Sequence, residues 1–449
     1  MSFKEPLTLL QLAVQSLIRN ETLANSTLQD LPNDLFPPLL KEANTQRKAN
    51  FIKILVAEWP YSHLPVGWLM NNPTLETHQA MLDGVDTWLR RRFCPRGQKL
   101  QVVDLRNVPV QKGHSLSTLK HRLKVVTELC LPLDQYQAQL LEWVEERRPS
   151  LQLCCVKLKV GTLPFHSVKN VFKILQPELI EELELNTVGS LSTLAKFVPT
   201  LRRMRNLQKM VLMRAFQGRT ATAGEEKHVT SVISLFSKLS CLQHLTIQDV
   251  YFLNDHMNQL LRCLKTPLEC LSISLCKFSQ SDLDSFARWS HSGLKHLYLR
   301  GVILRDLDFI SLRIFLESVA DTLQTLKIKD CGMQDADVRI LLPALSQFSQ
   351  LTIINLIDND FSTDTLKELL RHTANLRQLT KERYPAPKEV YDHYGYTQVE
   401  EFSQLCAELK DTLISIREFK SLHFKSTACY DCGKRYIYEL DTILCECSL

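Results

Sequence analysis

The sequence predicts an α/β solenoid, in which a curved parallel sheet is covered on its convex side by helices. A six-residue pattern with apolar residues at its first, fourth and sixth positions supports this, because it recurs along much of the chain. Copies start at Leu153, Ile180, Leu207, Leu242, Leu268, Leu294, Leu323 and Leu351. Most lie 26 to 29 residues apart, the period of leucine-rich repeats with one strand and one helix each. We expect these repeats to stack into a horseshoe with one continuous core.

The copy that starts at Leu294 illustrates the geometry of one repeat. Successive side chains of a strand point to opposite faces, so Leu297 and Leu299 enter the core together with Leu294. The residues that alternate with them are expected on the concave face, namely His296, Tyr298 and Arg300.

The segments between the predicted strands form helices and one loop in this interpretation. Residues 255–264 and 363–371 have apolar side chains three and four positions apart, which is typical of amphipathic helices on the convex side. The longest interval runs from Leu207 to Leu242 and contains the small and polar residues 217–228. These predict an exposed loop.

A further copy of the pattern at Leu100 predicts a first repeat ahead of the series. Between it and Leu153, residues 119–147 are expected to form one degenerate helical repeat. The chain is thereby divided into a helical region, a solenoid and a cap, at residues 1–98, 99–400 and 401–449.

Composition narrows the possible functions of this 449-residue chain. Hydrophobic residues make up 45% of it, which supports folding throughout. With 13 glycines and neither G-x-G-x-x-G nor a P-loop, no nucleotide fold is expected. A net charge of +5 without a long basic run gives no support to nucleic-acid binding. No 18-residue apolar span or signal peptide is found, so no membrane partner is expected. A broad solenoid face suits a macromolecule rather than a small-molecule substrate.

A short motif in the first twenty residues fits the pattern of an elongin C-binding box. It consists of Thr8, Leu9, Ala13 and Leu17. Leu9, Ala13 and Leu17 are four residues apart and would share one helix face. On that face Leu9 could anchor in a partner's pocket, and the small Ala13 would allow close approach.

A second motif, formed by Leu31, Pro32, Leu35 and Leu39, fits the pattern of a cullin-2 box. Pro32 would start a helix on which Leu35 and Leu39 form one apolar stripe. Each motif alone is a weak signal. Two amphipathic helices that merely cap the end of the solenoid would explain the same residues, and this alternative stays open.

Segments along the whole chain resemble the PRAME (preferentially expressed antigen of melanoma) family. They include residues 12–17 (LAVQSL), 31–39 (LPNDLFPPL), 57–60 (AEWP), 81–84 (MLDG), 100–106 (LQVVDLR), 153–158 (LCCVKL) and the cysteine-containing tail. The resemblance implies a leucine-rich-repeat substrate receptor of a cullin-2 RING ubiquitin ligase, docked through elongin B and elongin C, which promotes proteasomal degradation. It also implies a role in restraining transcription, differentiation and apoptosis.

Fourteen cysteines, most of them inside repeats, indicate a reducing intracellular compartment. Some PRAME relatives have a basic nuclear signal after the first repeat, whereas residues 111–125 contain only scattered Lys and Arg. We therefore expect a cytoplasmic location and leave nuclear residence open.

The tail offers four thiolates as zinc ligands, from Cys429, Cys432, Cys445 and Cys447. A strand at residues 436–438 would return the chain from the first pair toward the second. Four protein ligands leave no open position for water, so the expected role is one structural zinc ion. The one-residue spacing of the second pair is less typical, and reduced thiols or a redox role remain alternatives.

The predicted concave face changes from acidic to basic along the repeats. We hypothesise that its basic, aromatic end recognises an acidic degradation signal of a target protein. The residues concerned are His296, Tyr298, Arg300, Lys327 and Lys329. The alternative is that these charged side chains are simply solvated.

Three classes of function follow, in order of preference. The first is a non-catalytic ligase subunit whose partners are elongin B, elongin C, cullin-2 and a protein substrate. The second is a scaffold or transcriptional corepressor that binds a partner stoichiometrically. An enzyme is third, because the histidines, serines and acids form no recognisable catalytic motif.

Overall fold

The computed structural model describes residues 8–19, 28, 30–71, 74–91, 99–106, 122–161, 165–186, 191–214, 224–289, 293–429 and 433–438. Contacts divide the chain into two compact units. The first comprises residues 1–159 and 163–180, and the second comprises residues 160–162 and 181–449. Within the described ranges, no helix has the length and apolar character needed to cross a membrane.

The described part of the first unit contains six helices and four strands. The helices are α1 (Leu9–Arg19), α2 (Phe36–Thr45), α3 (Ala49–Ala57), α4 (Leu75–Arg90), α5 (Gln135–Glu146) and α6 (Phe165–Ile174). The strands are β1 (His63–Pro65), β2 (Val102–Asp104), β3 (Leu123–Leu131) and β4 (Leu151–Val160). They lie in the sheet in this order, and β1, β2 and β3 are parallel.

Helices α1 to α4 pack in sequence, each against the next. Gly84 of α4 permits the close approach of α3, because a Cβ atom there would lie 2.7 Å from the carbonyl oxygen of Lys53. Thr74 begins α4 with a capping box, in which its hydroxyl accepts a hydrogen bond from the Thr77 N–H. The helical region is therefore an ordered bundle that contains its own core.

The described part of the second unit contains ten strands that alternate with eight helices. The strands are β5 (Glu182–Asn186), β6 (Lys209–Met213), β7 (His244–Gln248), β8 (Cys270–Ser274), β9 (His296–Arg300), β10 (Thr325–Lys329), β11 (Ile353–Asn355), β12 (Lys381–Pro385), β13 (Leu422–Lys425) and β14 (Ile437–Tyr438). The helices are α7 (Leu191–Leu201), α8 (Glu226–Leu235), α9 (Met257–Cys263), α10 (Gln280–Ala287), α11 (Ile310–Ser318), α12 (Asp335–Leu345), α13 (Thr363–His372) and α14 (Val399–Ile414).

Strands β5 to β13 are parallel and follow sequence order, and only the last pair, β13 with β14, is antiparallel. The alternation expected for a repeat is confirmed, since Leu297 and Leu299 of β9 are buried and the residues between them are more exposed. Parallel strands joined by helices with this register form a leucine-rich-repeat solenoid, as the sequence predicted. We refer to the sheet face opposite the buried leucines as the open face.

The structure differs from the prediction for residues 119–147. They do not form a purely helical repeat, because β3 precedes α5. Seven of the nine side chains of β3 are buried, all except Glu128 and Cys130, so most of the strand lacks the alternation of buried and exposed residues by which the sequence could have indicated it. Residues 119–121 lie outside the described ranges.

Two predicted boundaries also shift. Within the expected loop at residues 217–228, helix α8 already begins at Glu226, whereas residues 217–223 lie outside the described ranges. At the other end, repeats continue beyond residue 400, since α14 spans that position and β13 extends the parallel ladder.

Several cysteines of the repeats are buried as free thiols. Cys154, Cys155 and Cys331 are each 1% exposed, and burial raises the pKa of the Cys331 thiol to about 12. Cys241, in contrast, is exposed.

Candidate protein-binding sites

Helix α1 places the first motif on the side of the helix that faces away from its packing surface. Thr8 caps the helix, because its hydroxyl accepts from the Gln11 N–H and the Gln11 side chain accepts from the Thr8 N–H. Val14 and Ile18 are buried where α1 packs on α2. At 3.6 residues per turn, Leu9 lies about 180° around the helix from Ile18.

The exposed side of α1 is unusually apolar. Leu9 is 86% exposed, and Leu10 and Leu12 are about half exposed. Ala13 is exposed and Leu17 is partly buried. Single exposed leucines are common on protein surfaces, but several adjacent ones indicate a contact surface. Leu9 and Ala13 of the sequence hypothesis thus lie on a side of α1 that the described residues leave exposed, whereas Leu17 lies at its edge.

The second motif is divided between surface and core. A 3₁₀ turn over Asn33–Leu35 follows Pro32, and α2 begins only at Phe36, four residues later than the expected start at Pro32. Pro32 is exposed, and Leu31 and Leu35 are partly buried. Leu39, by contrast, is completely buried. Leu39 therefore stabilises the helical packing, and an external partner can reach only the beginning of the motif.

The register of the second unit brings the predicted target-binding residues together. His296 pairs with Thr325, Tyr298 with Lys327, and Arg300 with Lys329 across β9 and β10. The His296 and Tyr298 rings are parallel with centroids 6.3 Å apart. The Lys327 ammonium lies 4.7 Å from the centre of the Tyr298 ring, a cation–π geometry. The stretch is thus a compact aromatic and cationic surface on the open face.

The two lysines of β10 have different environments although both point to the open face. Lys329 forms an ion pair of 3.2 Å with Asp358, which also pairs with Arg435. Lys327 forms no ion pair among the described residues. Burial lowers the pKa of Lys327, and the nearby Arg383 guanidinium lowers it further. Uncompensated positive charge is therefore concentrated at Lys327.

The ring of His296 carries a polar atom without a partner. Its Nδ1 is buried and forms no hydrogen bond with any described residue. Burial, followed by the charge of His244, lowers the pKa of this imidazole, so it is mainly neutral at pH 7.

Comparison with known proteins identifies the family. The family model described as the PRAME C-terminal domain matches residues 123–447, and that of the PRAME N-terminal domain matches residues 6–111. The chain belongs to the PRAME family. Preferentially expressed antigen in melanoma-like protein 7 of Mus musculus is 50% identical over 98% of this chain and 99% of its own length. PRAME family member 20 of Homo sapiens is 39% identical over 100% of both chains.

The resemblance inferred from the sequence is thereby confirmed for the PRAME family. A solved structure from Bacteroides fragilis covers 59% of this chain at 13% identity, but its TM-score of 0.31 is too low to support an argument. The fold assignment rests on the repeat register described above.

Two cationic residues of this PRAME-family chain were missed by sequence reasoning. Lys381 and Arg383 lie on β12, where Arg383 pairs with Asn355 and Lys381 with Ile353 of β11. They extend the cationic surface of Lys327 by two strands. The repeat interval could have located them, because Leu379 follows Leu351 by 28 residues, within the common period.

The described part of the cysteine tail contains one ligand candidate, Cys429. Its N–H donates to the carbonyl of Lys434 at 2.8 Å, and the Gly433 N–H donates to the carbonyl of Cys429 at 2.9 Å. Gly433 has a φ of 68°, which glycine adopts without strain. Strand β14 lies within the strand predicted at residues 436–438, and the zinc site itself stays a prediction. Cys432, Cys445 and Cys447 lie outside the described residues.

Proposed function

We propose that this chain is the non-catalytic substrate-recognition subunit of a cullin-2 RING ubiquitin ligase in the cytoplasm. In this proposal, α1 binds elongin C in complex with elongin B, and the beginning of the second motif contacts cullin-2. The open face of the second unit holds the target protein, which is then ubiquitinated and degraded by the proteasome. Removal of that target would be the route by which the chain restrains transcription, differentiation and apoptosis.

The observation that carries the proposal is the exposed leucine face of α1. A leucine that is exposed in the folded chain contributes little to folding, but its burial in a partner contributes about 1.5–3 kcal/mol. Leu9, Leu10 and Leu12 supply three such side chains within one turn, on a helix already held by Val14 and Ile18. An amphipathic helix that inserts into an apolar groove is a common mode of recognition.

The structure restricts which residues of the second motif can serve as cullin-2 contacts. Pro32 is exposed and Leu35 is accessible in part, so both can meet a partner. Substitution of the buried Leu39 would disturb the fold instead, and its loss would not report on binding. We therefore place the contact at Leu31, Pro32 and Leu35.

Reconstitution with purified elongin B, elongin C and cullin-2 tests the proposal. We expect the wild-type chain to elute with all three proteins in size-exclusion chromatography. Leu9→Ser should weaken elongin capture about tenfold or more, equivalent to about 1.4 kcal/mol. Leu75→Ser serves as the matched control, because Leu75 is also exposed on a helix of the first unit. The double variant Pro32→Ala/Leu35→Ala should lose cullin-2 while retaining elongin B and elongin C.

The outcomes separate the ligase subunit from a stoichiometric scaffold or corepressor. Failure of the wild-type chain to bind elongin C would remove the ligase proposal. Equal loss of elongin binding in Leu9→Ser and Leu75→Ser would remove the role of α1. In either case the N-terminal helices would be explained as a cap of the repeats.

A further inference from the structure

The open face at β9 to β12 contains four cations that form no ion pair with any residue in the described ranges. Lys327, Lys381, Arg383 and Arg300 lie there, and no carboxylate of the described residues forms an ion pair with any of them. Elsewhere in the same unit, surface cations do find partners. Lys209 pairs with Glu182 at 3.7 Å, and Lys295 pairs with Glu269 at 3.0 Å. The unpaired group is therefore a local property of these strands.

The register gives this group a defined geometry. Lys327 of β10 and Arg383 of β12 are both in register with Asn355 of β11, one on each side. Neighbouring strands are about 4.8 Å apart, so the two Cα atoms are about 10 Å apart. Asn355 is short and buried, and its Oδ1 accepts the Ile357 N–H. Asn355 is therefore flanked by two long cationic side chains on the same face of the sheet.

The surroundings of Lys327 also favour an anion. Tyr298 holds the Lys327 ammonium over its ring and limits the side-chain freedom that is lost on binding. The positive charge of Arg383 adds to the burial that lowers the pKa of Lys327, so the two cations repel each other in the free chain. A bound carboxylate would relieve this repulsion and form charge-assisted hydrogen bonds with both.

We propose that the open face at β9 to β12 binds an acidic peptide segment, with one Asp or Glu carboxylate held between Lys327 and Arg383. Lys381 and Arg300 contact further acidic side chains on either side. This inference rests on the proposed function, and it specifies the chemistry of the target segment. It also revises the residue set, since the Lys329 ammonium is already engaged by Asp358, whereas Lys327 has no such partner among the described residues.

A peptide is favoured over a nucleic acid by the composition of the face. The cations are few, lie among Tyr298, Thr325 and Asn355, and belong to a chain with a net charge of only +5. Glu182 and Glu184 of β5 occupy the same face further along the unit, so the face does not present the continuous cationic surface that binds a phosphate backbone. A peptide with a short acidic segment matches a surface that is cationic only locally.

Fluorescence anisotropy with the full chain and labelled ten-residue peptides tests the inference. The probes are a peptide with four Glu residues, the same peptide with Gln in their place, and a single-stranded oligonucleotide of equal charge. We expect binding of the Glu peptide alone, weakened by added salt. The double variant Lys327→Gln/Arg383→Gln should raise the dissociation constant of the Glu peptide about tenfold or more.

Two controls address charge and position. Lys265→Gln/Arg377→Gln removes the same charge from exposed loops that join helices to strands, and it should change the dissociation constant less than about twofold. Lys329→Gln, two residues from Lys327 on the same face, should also have an effect below about twofold, because its charge is already paired. Circular dichroism confirms that each variant is folded.

Several results would overturn the inference. They are equal binding of the Glu and Gln peptides, tighter binding of the oligonucleotide, or an equal loss in the open-face and loop variants. No elongin or cullin is present in this assay, so its failure is distinct from failure of the ligase proposal. Conversely, loss of elongin capture in Leu9→Ser would leave peptide binding unchanged.

Discussion

Replacement of Glu382 by Leu is expected to destabilise the last repeats, although it restores an apolar residue where neighbouring strands have one. Glu382 is in register with Ile354 of β11 and Leu422 of β13, both of which are buried. Its carboxylate is 1% exposed, accepts a hydrogen bond of 2.6 Å from Arg417, and accepts another of 3.0 Å from the Tyr384 hydroxyl. The repeat core here contains a buried ion pair.

The magnitude follows from the groups that the substitution leaves behind. Removal of one partner of a buried ion pair costs about 3–5 kcal/mol, because the other charge stays buried. Arg417 is 11% exposed, and its Nη1 retains only a bond of 3.3 Å to the Glu418 carbonyl. Apolar contacts of the new leucine offset part of the loss, so we expect a net destabilisation of about 2–3 kcal/mol.

Hydrogen exchange followed by mass spectrometry measures this effect locally in the full chain. Opening of β12 and β13 should become about 30-fold to 150-fold more frequent in Glu382→Leu, while β7 to β9 keep their protection. The double variant Glu382→Leu/Arg417→Met removes both charges and should recover most of the protection. Unchanged exchange in the single variant, or no recovery in the double variant, would refute this account of the ion pair.

Two further predictions concern pH and metal. Burial lowers the pKa of His78, against the opposing hydrogen bond between its Nδ1 and the accepting Gln139 Oε1, so the unfolded chain takes up a proton at higher pH than the folded chain. The stabilisation that neutral His78 gives to the first unit is therefore complete above about pH 6.5 and declines as the pH falls. Urea unfolding midpoints measured against pH should show this decline, and His78→Gln should flatten it. If the tail binds structural zinc, elemental analysis should find about one zinc per chain, lost in Cys432→Ser and kept in the exposed-cysteine control Cys241→Ser; negligible zinc in the wild type would contradict the proposal.

The repeat period predicted the strands whose inner positions are apolar and missed β12. At Leu379 the interval is regular, but the fourth position of the pattern is Glu382 rather than an apolar residue. The residue that makes a buried carboxylate acceptable, Arg417, is 35 residues further along the chain. A search for local periodicity cannot detect such compensation, so the strand and its outward residues Lys381 and Arg383 were overlooked.

Helix periodicity had a similar limit in the first unit. The spacing of Leu9, Ala13 and Leu17 correctly placed them on one side of α1, but it could not show whether that side faces the core. Val14 and Ile18 were equally apolar in the sequence, and only their packing on α2 distinguishes the two sides. The sequence was equally unable to show whether Leu39 faces a partner or the core. The motif pattern suggests a contact with a partner, but the fold buries Leu39.

The charge pattern of β10 shows why the open face could be predicted only in outline. Lys327 and Lys329 are separated by one residue, share a face, and are equivalent in any analysis of strand alternation. Lys329 forms an ion pair with Asp358, which follows it by 29 residues in the chain. Asp358 also pairs with Arg435, a further 77 residues along. Lys327 has Tyr298 and Arg383 as neighbours instead. Sequence specifies where cations can appear on this face, but long-range pairing decides which of them remain available to a partner, and that selection is what an acidic target would recognise.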